Sequence, residues 1–259
     1  MKKHSFFDRQ SAAITLLYNP ANVLEAINLA RAAEADGADG IALELNQMPL
    51  EMRTLENFRT IIDSVQLPFM FIDYRNDIFL GRDDAARQEH LLLAAEAGAE
   101  VIDVMGDLYS PDPMELTFES QAVEKQIALI QAIHERGAKV LMSSHMSNLE
   151  RSAEEVLEHL LEQSRRGADI LKIVVGVNTE AALTEAIRTM LLLHNKLEKP
   201  FIFLANGKFS RFIRYVGPKL GVAIEFAVHD YTPDRSYSQP TIRSMKKVME
   251  NFQWSIDNI

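Results

Sequence analysis

The sequence predicts an α/β protein folded as a parallel eight-stranded (β/α)8 TIM barrel. The length, 259 residues, is close to the roughly 250 typical of such barrels. One phrase recurs. "ARAAEADGADGIALEL", "LLAAEAGAEVIDVM", "ALIQAIHERGAKVLMSS" and "LEQSRRGADILKIVV" each run from an Ala/Leu/Glu/Arg-rich stretch through Gly-Ala and a charged residue into an apolar run. Gly37, Gly98, Gly137 and Gly167 fall where a helix needs a left-handed residue to stop. The runs that follow are short, apolar and partly β-branched, as strands buried on both faces are. Strand alternating with helix gives right-handed βαβ units and a parallel sheet. An open doubly wound sheet is the alternative, but no G-x-G-x-x-G follows the first strand.

The elements then fall in order. A strand at 12–17 leads to a helix at 20–35, stopped by Gly37. A strand at 40–45 leads to a helix at 50–64. The third strand, 68–73, precedes a helix at 83–97, stopped by Gly98. The fourth, 100–105, precedes a helix at 115–136, stopped by Gly137. The fifth, 139–144, precedes a helix at 149–166, stopped by Gly167. Strands at 169–175, 200–205 and 223–228 precede helices at 178–196, 209–220 and 239–252. The stretch "YSPDPMELTFES" after strand four, with two prolines, reads as a plain βα loop. No Pro/Gly/Ser linker or low-complexity segment divides the chain, so residues 1–259 read as one domain.

Composition narrows the function. Hydrophobic residues make up 47% and charged residues 25%, as in ordinary globular proteins, and the net charge of −10 argues against a nucleic-acid partner, which calls for a basic patch. There is no cysteine, which removes disulfide and thiolate chemistry and fits a reducing compartment. "MKKHSFFDRQ" lacks the apolar segment of a signal peptide, and no run is long enough to span a bilayer. A cytoplasmic protein without a membrane partner is the expectation.

In a barrel of this kind the site lies at the C-terminal ends of the strands. Those ends carry Glu44, Asp73, Tyr74 and Arg75, Asp103, Ser143, Ser144 and His145, Lys172, Asn206 and Lys208, and Glu225 and His229, with Arg211 and Arg214 in the helix after strand seven. Taken singly, a strand-end carboxylate, histidine or arginine has an ordinary structural explanation as a cap, a satisfied core group or a surface charge. Lys172 is different, because it interrupts the apolar run Ile170–Val175 and shares a strand face with Ile170 and Val174. Lysines are almost never fully buried unless paired. Removing an amine from water favours its neutral, nucleophilic form, as in Schiff-base lysines. The other explanation is a structural ion pair with Asp103 or Glu44. An imine lysine also needs a proton shuttle. His145 suits this role from the neighbouring strand, roughly 5 Å away, and arginines at the rim suit a substrate carboxylate.

These residues resemble the type I 3-dehydroquinate dehydratase family. "VLMSSHMSN" resembles the segment with the family's general acid/base, which falls on His145. "ADILKIVV" resembles the segment with the imine-forming lysine, which falls on Lys172. "NGKFSRFIRYVGPKLG" resembles the carboxylate-binding segment, with its arginine at Arg214. "RSYSQPTI" resembles the closing loop, with its glutamine at Gln239. In "GIALELN", Glu44 would contact substrate hydroxyls, and Asp103 and Ser144 fall in supporting positions. The departures are specific. The family's Glu-x-Arg is here Glu44-Leu45-Asn46. The arginine after strand three is met by Arg75 only with a one-residue shift. The glutamate that orients the histidine is missing, with Asp77 the nearest carboxylate. Arg235 stands at a serine position of the closing loop. The N-terminal segment is short for the family's barrel-closing hairpin.

The resemblance implies a Schiff-base lyase that dehydrates 3-dehydroquinate, or a closely related cyclic keto acid of shikimate- and quinate-type metabolism, with no metal or organic cofactor. It also carries the expectation of a homodimer. The residues leave two alternatives open. One is a metal-dependent isomerase or aldolase using Glu44, Asp103, His145 and Glu225 as ligands. The other is a barrel that binds a carboxylate without turnover.

Overall fold

The computed structural model describes residues 4–9, 11–76, 78–79, 83–231 and 239–257. Its strands are β1 (Ala13–Tyr18), β2 (Gly40–Glu44), β3 (Phe69–Ile72), β4 (Val101–Met105), β5 (Lys139–Met146), β6 (Ile170–Gly176), β7 (Phe201–Asn206) and β8 (Ile224–Ala227). The helices are α1 (Val23–Ala35), α2 (Leu55–Ile62), α3 (Asp84–Ala97), α4 (Ser120–Glu135), α5 (Ala153–Arg165), α6 (Glu180–Lys196), α7 (Ser210–Val216) and α8 (Ile242–Asn251). The strands are ordered β7-β6-β5-β4-β3-β2-β1-β8, and the neighbouring strands pair in parallel. The Ala223 N–H donates to the Phe201 carbonyl at 2.9 Å and brings β8 back to β7. The fold is a nearly closed (β/α)8 barrel. All four glycines of the repeated phrase have positive φ, from 83° to 103°.

Two differences from the sequence reading matter. First, α4 begins at Ser120 rather than 115, because residues 106–119 form a loop laid against the barrel. Second, α7 is short and runs into a 3₁₀ turn at Gly217–Lys219. The short N-terminal segment still closes the barrel floor. Phe6 joins the interior cluster of Ala13, Ala42, Met70, Val101 and Leu141, and its ring lies so close to Gly40 that a Cβ there would sit 2.2 Å from it.

Strand alternation divides the side chains. Val101, Leu141, Ile170 and Ile224 face the interior, whereas Ile102, Met142, Leu171 and Ala227 pack against the helices. Behind β5 and β6 that outer layer turns polar. Gln163 of α5, fully buried, accepts from the Lys172 N–H and donates to the Lys172 carbonyl, both at 3.0 Å, and also donates to Ser144 Oγ at 3.2 Å. One side chain thereby satisfies both backbone groups of Lys172. Gln163→Leu keeps the volume but strands those groups, each costing about 1–3 kcal/mol. Urea unfolding of the variant is expected to give a stability lower by about 2–5 kcal/mol. A loss below about 1 kcal/mol would mean that the strand finds other partners.

Candidate functional site

The mouth of the barrel opens on a cleft of about 750 Å³. Ile72, Val174, Leu204 and Phe226 supply apolar walls. Tyr74, His145, Lys172, Arg214 and Gln239 supply polar ones, with Lys208 and Arg211 at the rim.

Lys172 sits on the inward face of β6, in phase with Ile170 and Val174 as the sequence implies, and is 3% exposed. Its Nζ donates to Tyr74 Oη at 2.6 Å and lies 3.4 Å from Asp103 Oδ2. It also lies 5.3 Å from the ring centres of both Tyr74 and Phe226. The ion pair with Asp103 is therefore real, and the amine still lines the cleft. Both oxygens of Asp103 are engaged. Ser143 Oγ donates to its Oδ1 at 2.5 Å, and Tyr74 Oη donates to its Oδ2 at 2.6 Å. Burial, followed by the charge of Asp103, raises the Tyr74 phenol well above its ordinary range.

His145, on the next strand, lies edge-on to the Tyr74 ring with centroids 4.9 Å apart. Its Nδ1 is 2.8 Å from Glu115 Oε2, and its backbone N–H donates to the same oxygen at 2.7 Å. Burial works to raise the Glu115 carboxyl, but the His145 hydrogen bonds and charge, with the charge of Lys172, hold it below its ordinary value. An ionised carboxylate only accepts, so Nδ1 carries the proton and Nε2 is left for chemistry.

Glu115 comes from the loop that reads as plain in the sequence. It takes φ 46°, a left-handed conformation unusual for a residue with a Cβ. The loop is tied down by buried side chains. Arg166 donates to the Thr117 carbonyl at 2.6 Å and the Gly106 carbonyl at 3.2 Å, and Gln126 donates to the Gly106 and Leu108 carbonyls at 2.9 and 3.0 Å. Ser144, which faces away from the cleft, donates to the Glu115 carbonyl at 2.7 Å. Its part is to hold Glu115.

Arg214 is 4% exposed and bonds Glu225 Oε1 at 3.0 Å. Glu225 is on the outward face of β8, between the inward Ile224 and Phe226. Its Oε2 and Arg214 Nε are without hydrogen-bond partners among the described residues. Gln239 lines the cleft, as Arg214 does. Glu44 accepts from Asn46 Nδ2 at 2.9 Å. Its charge is felt by Tyr74, but neither Glu44 nor Asn46 lines the cleft. Arg75 does not line it either. Its guanidinium bonds Asp84 at 2.7 and 3.2 Å and Asp107 at 2.7 Å, bracing the loop ends after β3 and β4. Continuing the alternation of Met70 and Ile72 sends Tyr74 inward and Arg75 out. Asp77 and Arg235 lie outside the described residues. The sequence reading thus missed Glu115 and the role of Tyr74. The two-residue periodicity of β3 marks Tyr74, whereas no local signal marks Glu115. Among the described residues, no three His, Asp or Glu side chains converge as a metal would require.

Burial pushes the Glu225 carboxyl from 4.5 up to about 7, against the pull of Arg214 and the Phe226 N–H. Between those values the folded protein keeps a proton that the unfolded chain has lost, so Glu225 costs stability as the pH rises through that window. Glu225→Gln removes the slope. Relative to the parent, its unfolding free energy is expected to improve by about 2–3 kcal/mol between pH 5 and pH 8. A difference that does not change with pH would mean that Glu225 is ionised throughout.

Comparison with known proteins sets this geometry in context. The chain is 31% identical over 138 residues to the 3-dehydroquinate dehydratase of Alkaliphilus oremlandii (strain OhILAs), covering 53% of this chain and 52% of that protein. It is 26% identical over 115 residues to the catabolic 3-dehydroquinate dehydratase of Acinetobacter baylyi (strain ATCC 33305 / BD413 / ADP1), covering 44% and 41%. These alignments span about half or less of the curated relatives' length. The fold matches the crystal structure of 3-dehydroquinate dehydratase from Geobacillus kaustophilus HTA426 with a TM-score of 0.79 at 16% identity, covering 94% of this chain and 92% of that one. It matches the type I enzyme from Clostridium difficile, solved with covalently modified comenic acid, with a TM-score of 0.78 at 16% identity, covering 94% and 93%. At these identities the structural likeness establishes the fold. The sequence profile described as Type I 3-dehydroquinase extends over residues 20–255, which is most of the barrel and includes Tyr74, His145, Lys172, Arg214 and Gln239 of the cleft, and the chain belongs to that family.

Proposed function

We propose that the protein is a Schiff-base-forming hydro-lyase that dehydrates 3-dehydroquinate or a closely related cyclic keto acid. One observation carries the reading: a buried amine, Lys172, lines the same cleft as a histidine fixed by a carboxylate and an arginine fixed by another.

The Lys172 amine attacks the ketone, and His145, as the imidazolium, protonates the carbinolamine hydroxyl so that water leaves and an iminium forms. Neutral His145 then takes a proton from the adjacent carbon, and the electron pair moves onto the iminium nitrogen. The same imidazolium protonates the departing hydroxyl, which leaves as water. Hydrolysis of the imine releases an unsaturated keto acid. Arg214 and Gln239 hold the carboxylate, Arg214 through a guanidinium already oriented by Glu225. The lysine supplies the electron sink, so the scheme needs neither a metal nor an organic cofactor. The metal-dependent alternative gains no support, since Glu225 faces away from the cleft. No helix among the described residues is long and apolar enough to cross a membrane.

Incubation with 3-dehydroquinate and borohydride is expected to leave a stable mass adduct on the peptide bearing Lys172, and Lys172→Met to abolish it. An adduct on another residue would defeat the assignment. Failure of the parent to trap this substrate, with trapping of another cyclic keto acid, would move the specificity and keep the chemistry. Glu115→Gln is expected to lower kcat by about 10²-fold with little change in KM, because the histidine loses its orientation and the stabilisation of its charged form. An unchanged kcat would remove Glu115 from the mechanism.

A further inference from the structure

The scheme above leaves one step without an agent. A buried lysine ammonium cannot attack until it has lost a proton, and His145 is committed to the substrate side. We propose that Tyr74 is a catalytic residue that relays the Lys172 proton to Asp103, generating the neutral amine. The inference rests on the proposed imine chemistry and adds a group to it.

The geometry is that of a relay. Lys172 Nζ donates to Tyr74 Oη at 2.6 Å, and Tyr74 Oη donates to Asp103 Oδ2 at 2.6 Å. The direct path from Lys172 to Asp103 is longer, 3.4 Å. Two short hydrogen bonds through a hydroxyl thus run beside one long contact. In the step, the ammonium gives a proton to Tyr74 Oη while Tyr74 gives its own to Asp103. The products are a neutral amine, an unchanged phenol and a protonated carboxyl, so charge and protons balance. When the imine hydrolyses, the proton returns by the same path and restores the ammonium and the carboxylate. Burial keeps the phenol from ionising, so Tyr74 hands a proton on rather than storing a charge.

The phenol is held for this work. Arg87 Nη1 donates to the Tyr74 carbonyl at 2.6 Å, and the ring is wedged between Lys172 and His145. Ser143 Oγ donates to the far oxygen of Asp103 and thereby holds that carboxylate in place. The titratable groups around Lys172 are Tyr74 after β3, Asp103 on β4, Glu44 at the end of β2, His145 on β5 and Glu115 before α4. Towards the cleft β1, β7 and β8 contribute Leu17, Leu204 and Phe226, with Arg214 of α7 beyond them.

The relay can be tested without any particular substrate. Formaldehyde with cyanoborohydride methylates an amine through an imine, and peptide mass reads the rate at Lys172 in the intact protein. Tyr74→Phe preserves the ring and is expected to slow methylation by about 10²-fold at pH 7, recovering as the pH rises and hydroxide replaces the relay. Ser143→Ala removes a bond to Asp103 Oδ1 while sparing the path through Tyr74 to Oδ2 and is expected to keep the rate close to the parent's. Equal rates in Tyr74→Phe and the parent at every pH would overturn the proposal, and so would equal losses in both variants, which would mark the cluster as structural. Trapping of 3-dehydroquinate with borohydride is run in parallel. Normal methylation with no trapping in the parent would count against the substrate and leave the relay standing.

Discussion

A cation in the middle of an apolar barrel is the constraint on which the rest of this site depends. The lowest interior layers are dry, with Val101, Leu141 and Ile170 from adjacent strands. Two residues along each of those strands, the same positions become Asp103, Ser143 and Lys172. An isolated ammonium would be far too costly at that depth. It is tolerated because a carboxylate, a hydroxyl and a phenol surround it and satisfy one another. Two residues further, the strands deliver His145 and Val174 to the cleft. Each step of the pleat therefore moves from packing to charge stabilisation to chemistry.

The backing of the barrel serves the same end. The side chains of Gln163, Ser144, Gln126 and Arg166 are buried between strands and helices, where apolar residues are the norm. They hold two things in place, the backbone of Lys172 and the loop that carries Glu115. Gly106 belongs to this arrangement, because a Cβ there would meet the Glu115 carbonyl at 2.5 Å and Ser144 Oγ at 2.9 Å. The left-handed backbone at Glu115 is the kind of strain that persists only where surrounding bonds over-determine it. Here those bonds are the Ser144 hydroxyl on its carbonyl and both His145 contacts on its carboxylate.

Much of this was legible in the sequence, for identifiable reasons. The barrel was legible because four helix stops are glycines with positive φ and each strand is a short apolar run. Lys172 was legible because a charge inside such a run has few explanations, and His145 and Arg214 because their segments resemble a known family. Arg75 met the family's arginine only with a one-residue shift, and Tyr74 was named only as a strand-end residue, although the alternation of β3 sends Tyr74 inward and Arg75 out. Glu115 could not be found locally. Its distance from His145 is 30 residues of chain, and its place is set by Arg166 and Gln126, which lie on other elements.

Three groups that line the cleft, Lys172, His145 and Arg214, each have an acid that does not line it. Asp103 stands beside Lys172, Glu115 behind His145, and Glu225 behind Arg214. The three acids come from β4, the following loop and β8, so the arrangement is not a by-product of one segment. It resolves an apparent conflict, since a chain with a net charge of −10 presents cationic groups in its cleft, as the proposed anionic substrate requires. An acid behind a cation lowers the field in the cleft, yet it fixes the cation's position, and an ionised one offsets part of the penalty for burying it. Fixed charges need not reorganise as the reaction proceeds, and such preorganisation contributes more to a transition state than raw field strength does. On the proposed mechanism, the acids behind the wall therefore shape the reaction as much as the bases in front of it.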